Sequence, residues 1–309
     1  MIWISLTGLS PYAKVHELQK RLVEKRIAGV GSDLGDRAAL GDVMIALEHP
    51  PTVTRGRGLQ RSVGEASVVH RHSGGETNDH VHRHSGGAET GGYDQPHGAP
   101  SSLPRQMPLV GELQSGTEYF EIERGGDLTW HGPGQLVVYP IVLLSRDCGD
   151  TSQVRPAPVD WISHQDIGKF LRGFEARFID LLATYGLSAS SRENATGVWV
   201  SDLRTIATPD DSAQRKIASL GIAIKKWVTY HGIAINVVNE LAGFNQISPC
   251  GFSPNIMTRL VDLVDSSSAA KLREPQWRDE FEARLRACLG LSHVEVISGT
   301  IDEIRERFL

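Results

Sequence analysis

KIASLGIAIKKWVTYHGIAINV, residues 216–237, is the stretch on which the fold turns. It reads as two apolar strands, 216–224 and 228–237, joined by three residues. A connection that short joins antiparallel neighbours. Residues 197–200 and 203–207 read as shorter strands upstream, with a polar turn over 208–214. Residues 43–47, 119–123 and 136–144 are further strand candidates, the last apolar enough to be buried on both faces. Helical spacing marks Val15, Leu18, Leu22 and Val23, with Ser10 and Pro11 as expected cap and first turn and a stop near Gly29. A longer helix is expected over 164–185, its apolar face built from Ile167, Phe170, Leu171, Phe174, Phe178, Leu181, Leu182 and Tyr185. A last helix is expected over 276–289, with Phe281, Leu285, Cys288 and Leu289 inward, and a final strand over 294–297. Hairpin-connected strands with segregated helices give an α+β fold with a mixed or antiparallel sheet flanked by helices, a single domain over residues 1–309.

One segment departs from this pattern. Residues 59–112 are rich in Gly, Ser, His and Pro, repeat HRHSGG at 70–75 and 82–87, and hold six of the twelve histidines. Such a composition buries too little apolar surface to offset its ordering entropy, so it reads as an insertion. His-rich tracts can bind metals, but nothing in this one fixes a ligand geometry.

The 309 residues carry 32 basic and 37 acidic side chains, a net charge of −5. That balance argues against a general nucleic-acid binder. No apolar run approaches the roughly 18–20 residues that cross a bilayer, and the N-terminal MIWISLTGLS lacks a basic leader, so a cytoplasmic protein is expected. Three cysteines make no disulfide framework and suit a reducing compartment.

Those cysteines differ in setting. Cys288 sits at a core-facing helical position and reads as an inert small hydrophobe. Cys148 lies between Asp147 and Asp150, whose charges would raise a thiol pKa. Cys250 lies in ISPCGF, where proline before and glycine after place the thiol on a turn. A free thiol ionises near pH 8.5, and lowering that by two units takes roughly 2.7 kcal/mol, within reach of one desolvated ammonium. Lys216, opening an apolar strand, is the candidate cation.

Two glycine-rich regions add a possible binding site. Arg124, Gly125 and Gly126 precede Asp127, Leu128, Thr129 and Trp130, and His131 opens HGPG. Glycines let backbone pass close to a ligand, Arg124 offers an anion partner, and His131 a hydrogen bond or a proton. The spacing fits neither a Walker loop nor a dinucleotide fingerprint. Ser219, Leu220 and Gly221 face Gly232, Ile233 and Ala234 across the expected hairpin; small residues there would leave a groove suited to an acyl chain.

Taken together, EHPPTVTRGRG (48–58), RGGDLTWHGPGQLVVYPI (124–141), TGVWV (196–200), KIASLGIAI (216–224), VTYHGIAINV (228–237) and ISPCGF (247–252) resemble the lipoyl(octanoyl) transferase family in order and spacing. The resemblance runs from about Gly8 to Gly251, apart from the insertion. It implies the fold shared with lipoate and biotin protein ligases. It implies an enzyme that moves an octanoyl group from octanoyl-acyl carrier protein to a lysine of apo lipoyl domains, those of 2-oxoacid dehydrogenase E2 subunits and the glycine cleavage H protein. Cys250 would carry the acyl group as a thioester, and Lys216 would lower its pKa and handle protons. Residues 124–131, 219–221 and 232–234 would line the acyl site. Neither cofactor nor metal is implied, and a monomer is expected. Three features depart from the family pattern: the insertion, a lengthening at Pro209-Asp210-Asp211 ahead of Lys216, and Thr196 where proline is common.

Three other readings compete. An ATP-dependent ligase of the same fold would use the TRGRG loop, residues 54–58, and would not need Cys250. A metal-binding scaffold would work through the doubled HRHSGG. A thiol hydrolase would pair a cysteine with His131 or His231.

Overall fold

The computed structural model describes residues 1–29, 40–57, 110–113, 116–144, 159–162, 165–193, 195–201, 214–247 and 254–309. Twelve strands among these form two sheets. The larger contains β1 (Ile2–Leu9), β2 (Val43–Glu48), β7 (Gln135–Ile141), β8 (Ala189–Arg192), β9 (Ala195–Ser201), β10 (Gln214–Lys225), β11 (Val228–Asn236) and β12 (Glu295–Gly299). Its order is β12-β1-β2-β7-β11-β10-β9-β8. The pairs β12–β1 and β1–β2 are parallel and all the others antiparallel, so the sheet is mixed, as expected. The smaller sheet orders β4 (Val110–Leu113), β5 (Thr117–Glu121), β3 (Thr52–Arg55) and β6 (Leu128–His131) as β4-β5-β3-β6.

The decisive hairpin forms with Gly221 opposite Gly232 and Ser219 opposite Ala234. Its turn is tighter than expected: Lys225 pairs with Val228, leaving Lys226 and Trp227 both at positive φ, 48° and 65°. β7 lies inside the sheet, buried on both faces as its composition required. Leu136 and Val138 join one core; Val137, Tyr139 and Ile141 join the other. α2 (Ile167–Ala183) and α4 (Trp277–Cys288) pack into the first core through Phe170, Phe174, Phe178 and Phe281. α1 (Tyr12–Ala28) and α5 (Ile301–Phe308) close the second. The short α3 (Ser266–Leu272) precedes α4. No described helix is long and apolar enough to cross a membrane.

Several local expectations need correction. Pro11, not Ser10, is the cap position of α1, because the Ser10 backbone is already engaged: its N–H donates to the Glu48 carbonyl and its carbonyl accepts from His49. Ile167 begins α2 but is 43% exposed, since a first-turn residue lies outside the buried stripe. The helix at 276–289 is not the last: α5 follows, capped by a reciprocal Thr300–Glu303 box. The expected insertion stops short of 112, because Val110–Leu113 pairs with β5. Cys148, the HRHSGG repeats, the strand expected at 203–207 and the lengthened turn fall outside the described residues.

Candidate functional site

The two sheets meet over an open cleft of about 430 Å3, solvent mouth included. Strand alternation supplies its floor. Ser219 and Gly221 of β10 and Gly232 and Ala234 of β11 are cross-strand pairs of minimal size, while Leu220 and Ile233, between them, border the cleft as well and pack into the core behind. A Cβ on Gly232 would run into the Val138 carbonyl and Pro140, so only glycine lets β11 sit this close to β7. The roof comes from the smaller sheet: Thr54 of β3 and Thr129 and His131 of β6. Tyr12 from α1 and Tyr139 from β7 close the side.

β3 and β6 pair with Thr52 opposite His131 and Arg55 opposite Leu128, which brings together the two motifs at 48–58 and 124–141. The same alternation turns Leu128 and Trp130 away from the cleft. Both belong to a separate small core with Val53, Tyr119, Phe244 and Ile247, so of the expected lining these two are structural. Gly126 lines the cleft, and Gly125 anchors the glycine loop to the floor by donating to the Ile222 carbonyl at 2.9 Å. Asp127 stands beside Arg55, at 4.0 Å.

Arg124 lines the cleft and is also engaged within the protein. Its Nη2 donates to the Thr54 carbonyl at 2.8 Å and to Thr54 Oγ1 at 2.9 Å, and Nη1 donates to the Gly125 carbonyl at 3.1 Å. It ties the glycine loop to β3. Thr129 Oγ1, by contrast, is buried without a hydrogen-bond partner.

His131 is deeply buried, and burial holds its pKa well below the ordinary value, so the ring is neutral. Its Nδ1 lies 2.8 Å from Gln135 Oε1. A carbonyl oxygen only accepts, which assigns the proton to Nδ1 and leaves the Nε2 lone pair toward Thr54 Oγ1, 3.5 Å away. Gln135 Nε2 donates to Asn236 Oδ1 at 2.9 Å, and Asn236 Nδ2 donates to the Thr258 carbonyl at 2.9 Å. One buried polar chain thus runs from Arg124 through Thr54, His131, Gln135 and Asn236 to Thr258. Gln135 and Asn236 are the glutamine of HGPGQ and the asparagine of HGIAIN, which carried no assigned role in the sequence.

Thr258 leads to Lys216: its N–H donates to the Lys216 carbonyl at 3.0 Å, and Lys216 bridges Met257. Lys216 is 2% exposed, its Nζ 5.4 Å from the centre of the Trp199 ring. A register shift between Lys216 and Ala218 redirects the side chain. Gly197, at φ 126°, makes room for it, since a Cβ there would come within 2.7 Å of Lys216 Cε. Buried Glu175 lies close enough for the lysine's charge to act on it. Cys250 lies outside the described residues, in the segment between Ile247 and Pro254. Cys288 is half-buried, and burial raises its thiol pKa, as suits an inert side chain.

His49 and His231, with Tyr12 and Tyr139, complete an aromatic cluster around the cleft. Tyr139 Oη lies 3.0 Å from His49 Nε2, while His49 Nδ1 meets the Ser10 carbonyl at 2.6 Å. Burial lowers His49 and His231 to about 4. Glu123 is held at about 2, chiefly by its interaction with His231.

Residues 109–282 match the family model for the lipoyl protein ligase A/B catalytic domain. An octanoyltransferase of Thermosynechococcus vestitus is 31% identical over 81% of this chain and 75% of its own. One of Thermobifida fusca is 30% identical over 94% of this chain and 89% of its own. Among solved structures, a bi-partite lipoate protein ligase from Thermoplasma acidophilum aligns at a TM-score of 0.49 and 12% identity over 99% of this chain and 91% of that one, too distant to carry an argument about this site. The chain belongs to the lipoyl protein ligase A/B catalytic-domain family, among its octanoyltransferases, and is an acyltransferase.

Proposed function

We propose that the protein takes an octanoyl group from octanoyl-acyl carrier protein onto Cys250 and passes it to a lysine of apo lipoyl domains. The observation that carries this reading is the groove floored by Ser219 and Gly221, on the strand that also holds buried Lys216, and by Gly232 and Ala234 on the neighbouring strand. Its apolar, small-residue floor suits a straight acyl chain. Pro254–Ile256, four to six positions after Cys250 in the sequence, lead into the Lys216–Met257 bridge.

In the first half-reaction the Cys250 thiolate attacks the thioester carbonyl, the acyl–sulfur bond to the carrier breaks, and the carrier thiol leaves with a proton. In the second, the acceptor lysine amine attacks the enzyme thioester. An amide forms, the Cys250 thiolate departs, and the amine proton is released. Lys216 stabilises the thiolate and relays the protons in both steps. Exchange of a thioester for a thioester and then for an amide proceeds downhill without nucleotide. The same reading takes residues 1–309 as one catalytic domain acting as a cytoplasmic monomer, with the E2 and H-protein lipoyl domains as acceptors. Lys216→Ala tests it: the cleft persists, and acyl loading from the carrier falls by orders of magnitude. Full loading by that variant would remove Lys216 from the mechanism.

A further inference from the structure

Three side chains from three elements converge beside the cleft: His16 of α1, Glu123 after β5 and His231 of β11. His16 Nε2 is 3.1 Å and His231 Nε2 3.6 Å from the same Glu123 Oε2. All three ligand atoms lie within 4.8 Å of one another. On a tetrahedral ion with bonds of about 2.1 Å, ligand atoms stand about 3.4 Å apart, so the separations here bracket that spacing. We propose that His16, Glu123 and His231 form a binding site for a divalent transition ion of the zinc class.

A second observation points into the same space. His231 is 1% exposed, and its Nε2 is buried without a hydrogen-bond partner. Its Nδ1 lies 3.4 Å from Tyr12 Oη. Without a cation the Nε2 proton faces the Glu123 carboxylate. A cation would displace it to Nδ1, where Tyr12 Oη is within reach to accept it, and free the Nε2 lone pair as a ligand. Tyr12 then serves as the outer partner that fixes the ring's tautomer, as is usual for metal-bound imidazole. His231 also sits at φ 57°, with its N–H held by Gln19 Oε1 at 2.7 Å, so the ring direction is imposed by the fold. The ligands need no deprotonation at neutral pH: both imidazoles are held neutral by burial, and Glu123 is ionised. Binding moves the protons of both rings from Nε2 to Nδ1. Arg124 and Lys20 lie close enough to oppose a cation and weaken the affinity.

The test uses the full chain, stripped by chelator and titrated with zinc chloride against a chromophoric competitor. The wild type, His16→Ala and Glu123→Gln are compared, so that the His-rich tract contributes equally to each. The wild type is expected to bind one equivalent more than either variant, or to bind it more tightly by more than the roughly 10–100-fold that outer-partner changes cost. Cobalt(II) should give a four-coordinate visible band in the wild type alone. Equal stoichiometry, affinity and cobalt spectra in all three would overturn the proposal. Should the variants not fold, zinc X-ray absorption of the wild type decides: a mixed nitrogen–oxygen shell supports the site, and an all-imidazole shell refutes it.

Discussion

Replacing Gln135 by methionine keeps the side chain's volume and removes its polar links. Gln135 is 1% exposed. Its amide accepts from His131 Nδ1 at 2.8 Å and donates to the Trp130 carbonyl at 3.1 Å and to Asn236 Oδ1 at 2.9 Å. Asn236 Oδ1 keeps Asn239 Nδ2 at 3.2 Å. His131 Nδ1–H is left with no acceptor. One buried orphan donor costs about 1–3 kcal/mol, and each remaining lost bond about 1 kcal/mol. The sum is about 3–5 kcal/mol, or roughly 6–20 °C in melting temperature at about 2–4 °C per kcal/mol. The imidazole can escape part of the penalty by moving its proton to Nε2, which turns a donor toward Thr54 and the cleft. Gln135→Met should therefore lose acyl-transfer activity even at temperatures where it is fully folded. Circular dichroism melts and a transfer assay at 20 °C measure the two effects. A melt within a degree of wild type with full activity would refute the polar chain as a determinant of either.

Other outcomes follow from the same geometry. Ala234→Leu puts three carbons onto the cleft floor and should shift preference to shorter acyl chains, with about fourfold weaker binding per excluded methylene at roughly 0.8 kcal/mol each; unchanged chain-length preference in competition assays would count against the groove as the acyl site. His49 and His231 have pKa values near 4 when folded, against 6.5 as free side chains. The unfolded chain takes up these protons first, so their stabilisation is complete above about pH 6.5 and is lost as pH falls toward 4. Each contributes on the order of 3 kcal/mol at about 1.4 kcal/mol per unit. The urea midpoint should drop steeply from pH 6.5 to 5, and a flat profile would argue that these rings are solvated. Lys226→Asn with Trp227→Gly places residues that accept positive φ in the hairpin turn and should stabilise the fold by about 1–2 kcal/mol; a lower melting temperature would show that Trp227 packs usefully where it is.

The fold was most legible where periodicity was strong. The Phe170–Phe174–Phe178 spacing of α2 and the continuous apolar run of β7 are local signals, and both elements form. Leu128 and Trp130, expected in the lining, sit in the small core instead, although a period of two along 128–131 already separates them from Thr129 and His131. α5 carried its own sign in the Thr300-x-x-Glu303 box, which an apolar-face search passes over. Ser10 misled because its backbone is engaged by Glu48 and His49, 38 and 39 residues away, and no local rule contains that. The polar chain was hidden for the same reason. Gln135 and Asn236 are polar residues in buried strands, each incomprehensible without the other, and 101 positions separate them. His16 joins Glu123 and His231 only once α1 docks onto β11.

The most direct test of the whole account is the intact mass of the enzyme after mixing with octanoyl-acyl carrier protein, then with an apo lipoyl domain, in the absence of ATP. The account predicts one octanoyl group on the wild type at Cys250, its appearance on the lipoyl domain afterwards, and neither event with Cys250→Ser. Transfer that proceeds unchanged in Cys250→Ser, or that begins only when free octanoate and ATP are supplied, would contradict it.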